Sequence, residues 1–258
     1  MPSAASARVR VGAIDVMVIT ETELAETVAA GWRAGQGGWI VTANVDIVRA
    51  ATRDPELAAL VAQAQVVVAD GMPVVWAGRL AGAAIRERVT GASLVFTLSE
   101  RAAAEGRSVF LLGGDEGVPE EAGRVLAERY PGLRVAGAYS PPYGFDADPR
   151  HLREVAERVS ATAPDLVLVG LGFPKQERVI ATLRARLPAA WHLGCGAGIP
   201  MAAGQFSRAP ALLQRSGGEW LHRLALEPRR LARRYLVHDM PFALRLLVQS
   251  LRIRLRER

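Results

Sequence analysis

Lysine is almost absent from this chain. Of its 32 basic residues, Lys175 is the single lysine and the rest are arginine. Cysteine is equally scarce: Cys195 stands alone, which excludes an internal disulfide and fits a reducing compartment. No spacing of His, Cys and Asp suggests a metal site, so none is expected. Long apolar runs are missing too. The longest uncharged stretch, Leu187 to Ser207, carries Pro188, Pro200, His192 and four glycines and makes a poor membrane span. Met1 to Gly12 has Arg8 and Arg10 but no apolar centre, so no signal peptide is expected. Repeats and low-complexity tracts are absent. A soluble or peripheral protein is the reading these absences leave.

What is present is a large core and a lopsided charge. With 258 residues, half of them hydrophobic, the chain suits one large domain, or a domain with an appendage. From Glu219 onward ten arginines face Glu219, Glu227, Asp239 and Glu257, a net +6 that equals the charge of the whole chain. Residues 1–218 therefore hold 22 basic and 22 acidic groups. A globally basic nucleic-acid binder is excluded, and a local electrostatic task for the tail is implied. Within the tail, Pro228 opens a candidate helix that pairs Arg229 with Arg233 and Arg230 with Arg234 at i,i+4. After Pro241, Leu244, Leu247, Val248, Leu251 and Leu255 share one helical face, with Arg245, Gln249, Arg252 and Arg256 opposite. That pattern suits a membrane-interface helix or a helix docked on the core. The division drawn is 1–204 for the main domain and 205–258 for a basic helical appendage.

The main part alternates short apolar runs with helical patterns. Strands are expected at Ile14 to Val18, Trp39 to Thr42, Gln65 to Ala69, Ser108 to Leu112, Val135 to Tyr139, Val167 to Val169 and Trp191 to Leu193. Helices are expected at Thr22 to Arg33, Asp46 to Arg53, Pro55 to Gln63, Pro73 to Leu80, Ser93 to Glu105, Pro119 to Arg129, Pro149 to Ser160 and Lys175 to Arg186. This predicts an α/β fold, a Rossmann-like, mainly parallel sheet with flanking helices, plus the helical appendage. Ligands of such sheets sit beyond the carboxyl ends of the strands, where Thr42, Asn44, Asp70, Gly113 and Lys175 all fall.

Three glycine turns compete for a role. Gly170-Leu171-Gly172-Phe173-Pro174-Lys175 joins a strand to a helix N-terminus, a natural seat for an anion, with the lysine beside it. Lys175 occupies the place of the third glycine of a dinucleotide fingerprint, which weakens a nicotinamide reading. Leu193-Gly194-Cys195-Gly196-Ala197-Gly198 looks like the first motif of an S-adenosylmethionine-dependent methyltransferase, but little sequence follows it. Gly113-Gly114 before a helix suits a phosphate or an ordinary turn. Asp70, anchored at a strand end with Gly71 after it, is the carboxylate best placed to act as a base. His192 reads as a core or network histidine. A methyltransferase and a non-catalytic nucleotide-binding membrane scaffold stay open as alternatives.

Five ordered stretches carry a resemblance. Thr42-Ala43-Asn44-Val45-Asp46, Ala69-Asp70-Gly71-Met72-Pro73-Val74-Val75-Trp76, Glu87-Arg88-Val89-Thr90-Gly91, Gly170 to Glu177, and Glu219-Trp220-Leu221-His222-Arg223 with Glu227-Pro228-Arg229-Arg230 resemble motifs of the WecG/TagA/CpsF glycosyltransferases, glycosyltransferase family 26. The resemblance implies a bacterial, inverting, metal-independent hexosyltransferase without a cofactor. Its donor would be a UDP-sugar: UDP-N-acetylmannosamine, its uronic acid or a related hexose. Its acceptor would be a polyprenyl-diphosphate-linked saccharide at the inner face of the cytoplasmic membrane, in cell-wall or exopolysaccharide biosynthesis. An anionic membrane surface would be a partner and nucleic acid would not; a homo-oligomer is compatible with it. By the same resemblance Asp70 is the general base, with Thr42 and Asn44 near the sugar. Arg88, Gly113, Gly172, Lys175 and Gln176 would bind the donor, and Arg230 and Arg234 would reach the active site from the tail. The family's Phe-Asp-Phe is replaced here by Ile199-Pro200-Met201, which leaves the donor sugar open.

Overall fold

The computed structural model describes residues 7–206 and 232–256, with positions 213, 218, 224 and 225 between them. A hairpin of β1 (Arg8–Val11) and β2 (Ile14–Met17) comes first, then α1 (Glu21–Arg33), β3 (Gly38–Ala43), α2 (Val45–Arg53), α3 (Pro55–Ala62) and β4 (Val66–Ala69). Next are α4 (Met72–Leu80), α5 (Gly91–Ala104), β5 (Ser108–Gly113), α6 (Val118–Arg129) and β6 (Arg134–Tyr139). A single turn at Phe145–Ala147 leads to α7 (Pro149–Ser160), β7 (Leu166–Gly170), α8 (Lys175–Arg186), β8 (Trp191–Gly194) and α9 (Gly198–Ala202). A π-helical stretch, Arg233–Asp239, runs into α10 (Met240–Arg256).

Helix starts follow from local chemistry. Thr20 and Glu23 form a reciprocal capping box at α1, Asn44 and Thr90 cap α2 and α5, and Asp54 and Asp148 cap helices that open with Pro55 and Pro149. Six strands form one parallel sheet in the order β4-β3-β8-β7-β5-β6. The expected α/β, Rossmann-like architecture is thus present. Strand alternation separates two cores. Trp39, Val41, Val167 and Val169 face α2, α3, α4, α7 and α8, while Ile40, Leu166, Leu168 and Leu193 face α1, α5, α6 and α9. Each fully buried Leu or Val contributes about 1.5–3 kcal/mol, which anchors the strands whose ends carry the site residues.

Three features differ from the sequence reading. The first strand, β1, was not expected; its Arg-Val-Arg-Val alternation pairs with β2 and buries Val11. The short α9 was not expected either, because Gly198 and Pro200 argue against a helix. Finally, α10 has two apolar faces. Leu246 is fully buried, with Phe242 and Leu247 packed on the same core, and Ser250 is buried beside them. Leu244 (62% exposed), Val248 (51%), Leu251 (44%) and Leu255 (64%) form a second stripe open to solvent, extended backward by Met240 and Val237. Arg49 on α2 holds the start of this segment through Asp239 Oδ1 at 3.1 Å and also pairs with Asp46. The helix expected to open at Pro228 lies outside the described residues, except for its last positions.

Candidate active site

The carboxyl ends of β3, β4 and β8 bring one polar cluster together. Thr42, near the end of β3, is buried, and its hydroxyl donates to the Gly194 carbonyl at 3.2 Å. Asn44 follows at once; its Oδ1 accepts the Ile47 amide at 3.1 Å, which caps α2 and fixes the side chain. Asp70 directly follows β4, and its backbone N–H donates to Ala43 O at 2.9 Å, so the ladder holds this residue beyond the strand proper. The turn after it needs glycine, since Gly71 has φ +101°. Across the cleft the Gly91 amide, in the first turn of α5, points at Asp70 Oδ2 at 3.4 Å. A Cβ on Gly91 would meet Cys195 Cα at 2.9 Å and Thr42 Oγ1 at 3.1 Å. Thr42, Asp70, Gly91 and the Gly194-Cys195 turn therefore converge.

Arg88 rides on a tethered loop. Arg79 donates to Ile85 O (2.8 Å) and Arg86 O (3.0 Å), Glu87 Oε1 accepts the Glu21 amide (2.6 Å), and Val89 N donates to Ala69 O (3.0 Å). Arg86 pairs with Glu23, whose carboxyl is held below its usual range by the Thr20 amide first and by Arg86 next. Arg88 is thereby delivered, half-buried, from the segment joining Asp70 to α5.

Behind the cluster lie the other turns. Gln176 and Glu177, in the first turn of α8, are both buried. Gln176 Oε1 accepts two glycine amides, Gly172 (3.2 Å) and Gly196 (3.1 Å), while its Nε2 donates to Glu177 Oε1 (2.9 Å). The side chain expected to touch substrate is thus engaged with the turns after β7 and β8. Gly172 has φ +76° with open space where a Cβ would stand. Gly113 is buried, and a Cβ there would lie 2.7 Å from Gly170 O, so close packing of β5 on β7 accounts for that glycine. Lys175 turns toward the β6–α7 loop, pairing with Asp146 at 2.9 Å and lying 5.6 Å from the ring centres of Tyr143 and Phe145. Arg230 and the side chain of Arg234 lie outside the described residues.

Burial decides the titration of three groups here. It pushes the Glu177 carboxyl up to about 7, against the opposing Gln176 hydrogen bond. It pushes the Cys195 thiol up to about 12, helped by nearby Glu177, so this cysteine is a packing residue at neutral pH. It pushes His192 down to about 4, the Gly38 carbonyl opposing, and the ring is a neutral member of the core as the sequence suggested. Among the described residues no group of three or more His, Cys, Asp or Glu is placed to hold a metal ion.

A carboxylate, a threonine and an asparagine thus stand at adjoining strand ends of the parallel sheet, with an arginine loop beside them. The chain belongs to the WecG/TagA/CpsF family of glycosyl transferases, whose model matches residues 9–256. It is therefore a glycosyltransferase, and the methyltransferase and scaffold alternatives fall away. A curated relative from Bacillus spizizenii, an N-acetylglucosaminyldiphosphoundecaprenol N-acetyl-beta-D-mannosaminyltransferase, is 34% identical over 195 residues, 76% of this chain and 74% of the relative. A Staphylococcus aureus protein of the same name is 32% identical over 196 residues, again 76% and 74% of the two chains. Among the described residues no helix is long and apolar enough to cross a membrane.

Proposed function

We propose that this chain moves N-acetylmannosamine, or a closely related hexose, from its UDP derivative to a polyprenyl-diphosphate-linked N-acetylglucosamine, with inversion and without a metal. The observation that carries the reading is the convergence of Asp70, Thr42 and the Gly91 amide at the ends of β3, β4 and β8. The acceptor class follows the names of the two relatives. Asp70 takes the proton of the acceptor hydroxyl while that oxygen bonds to the anomeric carbon. On the opposite face the bond from that carbon to the diphosphate oxygen breaks, and UDP leaves with the electron pair. Thr42 and Asn44 flank the sugar. Arg88 grips phosphate oxygens with its planar fork, and Lys175 exchanges Asp146 for the same charge. Gln176 contributes through the Gly172 turn it holds, and Gly113 through its place under that turn. Arg230 and Arg234 reach the acceptor diphosphate from the tail.

The remaining part of the reading is a site on the membrane. Residues 205–258 act as an appendage to the domain of residues 1–204. The exposed stripe Leu244, Val248, Leu251 and Leu255, with exposed Arg245, Arg252 and Arg254 around it, lies in the interface of an anionic leaflet on its cytoplasmic side. The test is a panel of UDP-sugars incubated with a lipid-diphosphate N-acetylglucosamine and read by mass spectrometry. A product heavier by one N-acetylhexosamine, formed from UDP-N-acetylmannosamine in the presence of chelator, is expected. No transfer from any UDP-sugar overturns the reading.

A further inference from the structure

Glu177 is the most deeply buried charged side chain near the site, with no exposed surface. One of its oxygens, Oε1, accepts from Gln176 Nε2 at 2.9 Å. The other, Oε2, is buried and has no hydrogen-bond partner. A purely packing position does not call for such a group, because an apolar side chain of similar length would leave no orphan oxygen. The carboxyl must therefore do something that a leucine cannot.

The neighbours say what. Gln176 Oε1 is shared by the amides of Gly172 and Gly196, one in the turn after β7 and the other in the turn after β8. An amide side chain reads the same shape both ways round, and reversing it would aim an NH2 group at those two N–H donors. The acceptor at Glu177 Oε1 is what selects the useful orientation. The cradle is tight: a Cβ on Gly194 would meet Gln176 Nε2 at 2.6 Å and Glu177 Oε1 at 3.1 Å. On its other side the same β8 turn supplies the carbonyl that receives the Thr42 hydroxyl and the Cys195 backbone against which Gly91 packs.

We infer that Glu177 is a positioning residue for the transfer: its carboxyl orients the Gln176 amide, and the Gln176 oxygen fixes the two glycine turns behind Thr42 and Gly91. Its bearing on turnover rests on the reading of the chain as a sugar transferase given above; the clamp itself does not. Glu177→Gln keeps an acceptor oxygen at the same reach, whereas Glu177→Leu removes it.

The experiment combines residue-resolved amide hydrogen exchange on the unliganded protein with thermal unfolding and steady-state kinetics, for wild type and both variants. In Glu177→Leu the Gly172 and Gly196 amides should exchange at least about 10-fold faster. Its kcat should fall by roughly 10-fold or more with little change in donor KM, while a cooperative thermal transition shows that the variant is folded. Glu177→Gln should restore both protection and turnover. Unchanged protection in Glu177→Leu overturns the clamp, as does lost protection in Glu177→Gln, which also decides the matter if the Leu protein does not fold. Wild-type kcat in a deprotected Leu variant removes Glu177 from the transfer. Absence of sugar transfer by wild type counts against the proposed function and leaves the exchange comparison intact.

Discussion

The backbone amide of Gly91 points at Oδ2 of Asp70 across 3.4 Å, tying the first turn of α5 to the residue after β4. The amide at the start of this helix sets the direction of the carboxylate. The contact is possible only because residue 91 has no side chain, since a methyl there would press on Cys195 Cα at 2.9 Å.

Gly91→Ala should therefore act on stability and turnover together. The obstacle is backbone, which cannot swing away, so about 1–3 kcal/mol of stability should be lost. Turnover should fall by roughly 10-fold to 100-fold, because displacements on the scale of an ångström are enough for that. Urea unfolding and an assay on the folded fraction separate the two effects. Wild-type values for both would show that the α5 start is not confined by the β8 turn.

A pair of buried groups should oppose each other in the pH dependence of stability. Glu177, pushed from 4.5 up to about 7, holds its proton more tightly when folded. Its contribution is complete below pH 4.5 and is lost as pH rises to about 7. His192, pushed from 6.5 down to about 4, contributes fully above pH 6.5 and loses that contribution as pH falls toward 4. Between those ordinary values the two slopes cancel. Glu177→Gln removes the falling one, so its stability should rise with pH across this window by up to about 1.4 kcal/mol per pH unit more than wild type. Chemical denaturation near pH 5 and near pH 7 checks the difference, and parallel curves would contradict it.

Asp239 should matter more to stability than an exposed carboxylate of the same kind. Its pairing with Arg49 is largely covered, the two side chains being 11% and 17% exposed, whereas the Arg10–Asp15 pair is about half exposed. Asp239→Ala should cost about 1–3 kcal/mol, and Asp15→Ala less than about 1 kcal/mol. Equal costs, measured by urea titration, would mean that the Arg49 contact does not hold the start of the C-terminal segment.

The solvent-facing stripe of α10 predicts a defect confined to lipid. Leu244→Glu with Leu251→Glu places charges at exposed positions outside the docked face, so circular dichroism and Tm should stay near wild type. Sedimentation with anionic vesicles should fall sharply, because a charge at the interface opposes insertion of the apolar face. Undiminished sedimentation would show that this stripe is not the membrane contact.

Much of this was legible in the residues. Val66 to Ala69 and Leu166 to Gly170 are short apolar runs followed by turn residues, so the sheet and its strand ends could be read directly, and with them Thr42, Asn44 and Asp70. Glu177 could not be found this way. A glutamate in the first turn of a helix, beside Lys175 and Gln176, has the local pattern of a solvated charge favoured by the helix dipole, and only the packing of α8 on Gly194 buries it. The docked face of α10 was hidden similarly. Leu244, Leu247, Val248, Leu251 and Leu255 satisfy one helical stripe on their own, which leaves Leu246 looking like an outlier until α10 meets the core. Lys175 stands at the start of α8, as its place before a helical pattern suggested, but its pairing with Asp146 depends on how the β6–α7 loop folds back.

The most direct test of the central claim is the turnover of Asp70→Asn, measured beside its affinity for UDP. The substitution keeps the shape and the place at the Gly91 amide while removing the proton acceptor. Turnover should fall by roughly 100-fold or more, with UDP affinity close to wild type. Near-normal turnover in the Asn variant would contradict the assignment of Asp70 as the base.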